Sequence, residues 1–390
     1  MKKLIYTICV ITLLLGLTAC SSGKSAGSYY DDGIDALENG KYEEACKNLK
    51  QAILLKNDKA IYYIDYGQAL TKLGQYEEAI EQYGNAIVNV NSSITNQNKK
   101  RALRGQGVAY YYLKKYEDAV KVFQEALKMN YVKELNTDIR SYLAQCFVKQ
   151  EKYPEALEVY NALVDEEGTA TVYAQRALVN KEAGNTTEAK KDFEKALSLD
   201  SKNLTLYLLN YKMLIDSKDE EGANAILKKA AAIKPENKQQ SYQLAEVKYY
   251  QKDYEGALTI LKDIASERKE SYRLMGDVYY MEKDYKKAID NYLLFIGDKA
   301  QTVSSTCYLN LSSCYIALKE YEQAQSYVKL GLNAADKISS KELQYNEILI
   351  YEQLGDFNSA YEKAKEYVKT YPDDENMKRE YEFLSTRYKK

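Results

Sequence analysis

The stretch AIYYIDYGQALTKLGQYEEAIEQYGNAIV, residues 60–88, decides the fold. Ile61, Ile64, Ala69, Leu70 and Leu73 follow the three-to-four spacing of a helical apolar stripe, Gly74-Gln75 interrupts it, and Tyr76, Ala79, Ile80, Tyr83, Ala86 and Ile87 resume it. Two amphipathic helices joined at a tight corner satisfy that pattern. Outward from Ala79, alanine returns at Ala45, Ala119, Ala156, Ala189, Ala223, Ala257, Ala288, Ala324 and Ala360, in steps of 31 to 40 residues, and eight of the ten alanines sit three residues after an aromatic. One helix–turn–helix unit is therefore reused about ten times.

The recurring residues have mechanical reasons. A small side chain at the helix crossing lets two backbones approach while its large neighbours flank the contact. Gly40, Gly74, Gly184 and Gly355 stand at equivalent corners, where a left-handed residue past a helix end costs glycine least; Lys115, Lys152, Asp253 and Asp284 are expected to take that place elsewhere. The three prolines agree with this layout: Pro154 falls at a helix start, Pro235 and Pro372 after helix ends.

The pattern resembles the tetratricopeptide repeat family. Leu103, Gly107, Tyr110, Ala119, Phe123 and Ala126 fill its positions in the third unit; Tyr272, Met275-Gly276, Tyr279, Ala288 and Tyr292 do so in the eighth, and Tyr207, Leu214, Ala223, Leu227, Ala230 and Pro235 less completely in the sixth. The resemblance implies an all-α, right-handed superhelical solenoid of about ten units over residues 29–372, followed by a polar capping helix over 373–390. Tyrosine replaces the family's tryptophan, which is absent, and Thr186 and Glu220 replace the corner aromatic in the fifth and sixth units, which are expected to be the weakest joints.

The amino terminus carries a second signal. Lys2 and Lys3 precede an apolar stretch from Leu4 to Gly16 and then Leu17-Thr18-Ala19-Cys20. The run is short for a membrane span, and small residues before a cysteine fit a signal-peptidase cleft. This resembles a bacterial lipoprotein signal over residues 1–19, which implies that Cys20 becomes the lipidated first residue and that the protein sits on the outer face of the cell membrane, or in a periplasm if the source has one. Residues 20–28 have no apolar period and read as a flexible tether.

Composition bounds the chemistry. With 29% charged and 45% apolar residues among 390, the chain is an ordinary folded one, and without Lys2 and Lys3 its 53 basic and 57 acidic residues give a charge of −4, with no bulk pull toward nucleic acid. Histidine is absent, which removes the commonest general base and zinc ligand. There is no phosphate-binding glycine loop, Cys-x-x-Cys pair or Gly-x-Ser-x-Gly elbow. Neither catalysis nor a cofactor or metal is expected. The acidic runs Glu43-Glu44, Glu77-Glu78, Asp165-Glu166-Glu167 and Asp219-Glu220-Glu221 are assigned mostly to helix starts, where they favour the macrodipole. Cys9 leaves with the signal; Cys46, Cys146, Cys307 and Cys314 are expected to be buried free thiols.

Function should then lie in surface. The family's first helices line a concave face that grips proteins or peptides, and by position its slots fall on Arg101, Arg104, Val108, Tyr111 and Tyr112 in the third unit, Tyr242, Tyr249 and Tyr250 in the seventh, and Arg273, Asp277 and Tyr280 in the eighth. Tyrosine and arginine anchor protein interfaces. In Tyr111-Tyr112 and Tyr249-Tyr250 neighbours point about 100° apart, so one ring of each pair is expected in the groove. Lys99-Lys100-Arg101-Ala102-Leu103-Arg104 places cations at a helix start, either as a site for an acidic segment or as a solvated first turn. Residues 89–98 read as an inserted loop. Tyr30, Ile34, Ile64 and Gln68 do not match the clamp by which some family members hold chaperone tails. The expected function is a membrane-anchored interaction scaffold of the bacterial envelope. The alternative is a chaperone-like assembly or export factor, which needs apolar groove residues such as Leu178, Leu208, Ile215, Leu309 and Ile316.

Overall fold

A computed structural model describes residues 24–88, 95–297, 303–334 and 336–388. Among these the chain is all helical, with no strand. It divides into two compact units, 1–199 and 200–390. The first holds five hairpins: α1 Ala26–Glu38 with α2 Tyr42–Leu55, α3 Ala60–Lys72 with α4 Tyr76–Val88, α5 Asn96–Tyr112 with α6 Tyr116–Lys128, α7 Asn136–Lys149 with α8 Tyr153–Glu166, and α9 Ala170–Glu182 with α10 Thr186–Leu199. The second holds five more: α11 Leu204–Asp216 with α12 Glu220–Ala231, α13 Lys238–Tyr250 with α14 Tyr254–Ile264, α15 Glu270–Met281 with α16 Tyr285–Ile296, α17 Ser305–Ala317 with α18 Tyr321–Asn333, and α19 Ser340–Gln353 with α20 Phe357–Thr370, followed by α21 Glu375–Ser385. The division falls between the two hairpins that carry Thr186 and Glu220 in place of the corner aromatic.

All ten corners close the same way. The amide five residues after a first-helix carbonyl bonds back to it at 2.8–3.0 Å, as in Gln75 to Leu70, Lys115 to Tyr110 and Asp284 to Tyr279. This is the Schellman closure, and it needs one left-handed residue. Gly40, Gly74, Gly184 and Gly355 supply it at φ 73 to 81°; Lys114, Glu151, Lys218, Lys252, Lys283 and Lys319 do so at φ 58 to 64°. The residues expected there, Lys115, Lys152, Asp253 and Asp284, stand one place later, at the cap position immediately before the second helix.

The crossing alanines are all buried at 0–1% exposure. A second slot explains the glycines. A Cβ on Gly107 would lie 2.4 Å from the Phe123 ring, and one on Gly276 would lie 2.6 Å from Tyr292, each sixteen residues on. Ala144, Ala177 and Ala245 hold the same slot opposite Tyr160, Phe193 and Leu261, and all six are buried. A small residue on the first helix thus receives a large one from the second. The sixth hairpin breaks the rule with Tyr211 opposite Leu227, the Tyr211 ring lying tilted 4.7 Å from Tyr250 instead, and the tenth inverts it with Ile348 opposite Ala364.

Three boundaries differ from the sequence reading. α1 reaches back to Ala26 because the Ser25 hydroxyl caps the Ser28 amide at 3.1 Å, so the end of the expected tether is helix; residues 1–23, with Cys9 and Cys20, lie outside the described residues. α5 likewise starts at Asn96, where Thr95 caps Asn98, so residues 96–98 are not loop. The Asp165-Glu166-Glu167 run sits at the end of α8, not at a helix start, and Arg140 and Thr137 of α7 bond to Glu166 and Glu167.

Candidate functional site

Within each unit, successive first helices contact one another, only marginally at most between α7 and α9, whereas second helices meet the next hairpin's first helix but make no more than marginal contact with the next second helix. The first helices therefore line the inner side of each stack. Because a repeat period separates equivalent positions, side chains about one period apart face each other there. In the first unit Tyr30 donates to Asp65 at 2.7 Å, Arg104 to Asp138 at 2.7 Å and Tyr111 to Gln145 at 3.2 Å. In the second, Gln243 donates to Thr205 at 2.6 Å, Arg273 to Tyr242 at 2.8 Å, Asn310 to Asp277 at 3.1 Å and Asn346 to Ser313 at 3.3 Å. A ladder of polar bonds thus ties neighbouring hairpins along the groove, and many of its polar groups already have partners.

The basic run on α5 is largely neutralised from within. Since the helix starts at Asn96, the cations lie past its first turn, where the dipole cost has faded. Lys99 pairs with Glu125 at 3.3 Å, and Arg104 pairs with Asp138 while lying 5.7 Å from the Tyr142 ring centre. Lys100 is buried, with its ammonium donating to Asn136 Oδ1 at 2.6 Å and the Met129 carbonyl at 3.0 Å; burial lowers its pKa. Arg101 alone of the four is an exposed cation, in the field of Asp65.

Tyr111 and Tyr112 divide as their angular separation requires. Tyr111 is half-buried in the groove, while Tyr112 is 48% exposed but lies toward the corner edge, stacked on Tyr76 at 5.2 Å. Tyr249 and Tyr250 are both half-buried, so the expected exposed ring is absent from that pair, because Tyr211 covers Tyr250. Burial pushes both phenols up to about 12, which keeps them neutral donors at ordinary pH.

Arg273 is not a free anchor. It spans Asp277 at 2.7 Å and Tyr242, and Asp277 also receives Tyr292 at 2.8 Å and Asn310. Burial raises the Asp277 pKa against the opposing pull of Arg273 and these donors. Burial opposes the charge on Arg273, but Tyr242 and Asp277 outweigh it and raise its pKa. Tyr280 borders a cavity of about 420 Å³ shared by α15, α17 and α19. The groove residues that positional reasoning misses are the acceptors Asp138 and Gln145 and the donor Asn310; one signal for them was available, since each lies one period after a groove donor or acceptor.

One opening combines apolar floor and polar rim. A pocket of about 370 Å³ lies among α5, α7 and α9, with Val148, Leu178 and Val179 as floor and Tyr111, Gln145, Lys149 and Glu182 around it. Of the other apolar groove residues expected, Leu208 is buried, Leu309 and Ile316 are half-buried, and Ile215 is 44% exposed. Cys146, Cys307 and Cys314 are buried free thiols, pushed by burial up to about 12; Cys46 is half-buried and pushed up to about 11. Thiols so held are protonated and poor nucleophiles.

Hairpins of this kind, stacked with their first helices along a groove, define a helical-repeat interaction scaffold. Tetratricopeptide repeat models match residues 58–130, 104–170, 170–203, 214–275 and 305–337, together more than half of the chain, and the chain belongs to the tetratricopeptide repeat family. The repeat is typically a non-catalytic scaffold for protein–protein interaction. Among curated relatives, bovine (Bos taurus) aryl-hydrocarbon-interacting protein-like 1 is 34% identical over 32% of this chain and 42% of its own length. The Hsp70-Hsp90 organizing protein of Triticum aestivum is 26% identical over 41% of this chain and 32% of its own. The chain thus spans about a third to two fifths of these relatives. A tetratricopeptide repeat protein from Parabacteroides merdae aligns with 66% of this chain and 99% of its own at 16% identity and a TM-score of 0.46.

Proposed function

We propose that this protein is a lipid-anchored scaffold of the bacterial cell envelope that holds partner proteins or peptides in the groove of its first helices. The observation that carries the binding half is the α5–α7–α9 pocket. Its floor accepts an apolar side chain, and Tyr111, Gln145, Lys149 and Glu182 surround it with donors and charges of both signs. The ladder of period-spaced bonds supports this, because a groove already ordered by its own contacts loses little entropy when a partner docks. The anchoring half rests on Leu17-Thr18-Ala19-Cys20.

Cross-linking in intact cells tests binding: wild type captures a discrete envelope partner, and Leu178→Glu and Tyr111→Ala lose it while keeping wild-type helicity. The same capture by wild type and both variants refutes the pocket as the site. Fractionation tests anchoring: Cys20→Ala leaves the membrane fraction, and its retention there would rule out lipidation.

A further inference from the structure

The open ends of the first two hairpins, where one hairpin hands over to the next, are apolar. Leu54, Leu55 and Val88 are 68%, 58% and 62% exposed at the last residues of α2 and α4. The opposite, corner ends of the same hairpins present Asn39, Gly40, Lys41 and Gln75 to solvent. Lys56 and Lys59, both exposed, follow the leucines with the exposed Asp58 between them and make no ion pair among the described residues, so this turn carries one positive charge in excess. Large apolar tips beside lysines are the chemistry of a surface that meets lipid, the apolar groups entering the interface and the ammonium groups reaching anionic headgroups.

The register of the first hairpin fixes where the chain enters. A Cβ on Gly33 of α1 would meet Leu49 of α2 at 2.7 Å. In an antiparallel pair this contact sets Ala26 level with Lys56, so the start of α1 lies at the same end as Leu54 and Leu55. Gly67 faces Tyr83 in the second hairpin at 2.9 Å, which likewise sets Val88 level with Tyr62, near the start of α3. From Cys20 to the cap Ser25 the chain can extend no more than about 18 Å. An acylated Cys20 therefore brings this edge, and not the corner edge, within reach of the bilayer.

We infer that Leu54, Leu55 and Val88, together with Lys56 and Lys59, form a second membrane contact that holds the first two hairpins edge-on against the lipid surface. This rests on the lipidation of Cys20 proposed above. A lipid on one terminal residue does not fix the orientation of the domain it carries, and a second contact of apolar and basic side chains does.

The chain has no tryptophan, so an introduced one reports alone. Full-length Leu55→Trp, with Val88→Trp as a second reporter, is isolated from membranes and placed in vesicles of phosphatidylethanolamine and phosphatidylglycerol whose acyl chains are brominated. Both tryptophans should lose about half of their emission relative to unbrominated vesicles, as residues at the acyl boundary do. Gln75→Trp at the corner edge should keep its own. Vesicle flotation of the same samples reads anchoring separately. Unquenched Leu55→Trp and Val88→Trp on a protein that floats would overturn the edge contact and leave the anchor standing. Failure to float would overturn both.

Discussion

The grooves of the two units use equivalent slots but treat their charges differently. In the first, Arg104 and Asp138 pair with 35% and 40% of their side chains still exposed. In the second, Asp277 is only 13% exposed, and Arg273, Tyr292 and Asn310 all point their donors at it. The first pair forms a rim that water screens. The second gathers three donors on one largely buried carboxylate, although the Arg273 side chain is itself 35% exposed. A repeat thus lets one position hold a screened surface pair in one stretch and join a largely buried carboxylate in another.

The largest expected effect follows from that contrast. Asp277→Ala takes the acceptor away from the buried Tyr292 hydroxyl and from Asn310, while Arg273, itself 35% exposed, keeps Tyr242; the change should cost about 2–3 kcal/mol, whereas Arg104→Ala should cost less than about 1 kcal/mol. Urea unfolding, with hydrogen exchange to assign the loss to α13–α17 or to α5–α7, distinguishes them; equal losses would abolish the contrast. Next, Gly107→Ala should cost about 1–3 kcal/mol by driving a methyl group into Phe123, while the same exchange reversed in the second unit, Ala245→Gly, should cost only about 1 kcal/mol of helix propensity. A smaller pair concerns the corners. Gly184→Ala, at φ 81° with open space around it, should cost about 1 kcal/mol, and Lys218→Gly, at φ 59°, should stabilise by less than that. Thermal midpoints that move in the same direction would show that left-handed strain does not govern these corners.

The last prediction depends on pH. Glu352 of α19 is raised to about 7, first by burial and then by Glu380 of the terminal helix α21, and its Oε1 has no partner. Its folded pKa thus exceeds the ordinary 4.5, and the folded state holds the proton more tightly. The resulting stabilisation is complete below about pH 4.5 and is lost as pH rises through about 7. Exchange of α21 amides, corrected for intrinsic rate, should quicken between pH 5 and pH 8, and Glu352→Gln should flatten that rise.

The fold was legible because its signals are local and repeated: alanine, aromatic and corner glycine recur in one register, and the shared register outweighs any single ambiguity. The corners without glycine were misplaced by one residue, since lysine in a left-handed conformation has no mark of its own. The starts of α1 and α5 were missed because single hydroxyls, Ser25 and Thr95, extend helices into polar segments that lack apolar period. The site was less legible. Position picked out Arg104, Tyr111, Arg273 and Tyr280 as groove residues, but not that Arg104 and Arg273 are held by Asp138 and Asp277, nor that Lys100 is buried.

What the sequence determined alone is the hairpin, its number and the side that faces inward, because helical period and repeat period depend on spacing along one chain. Which polar groups remain free for a partner was decided only by the tertiary structure. Whether a charge is rim or buried network depends on side chains about 34 residues away, brought within hydrogen-bond distance when the hairpins stack.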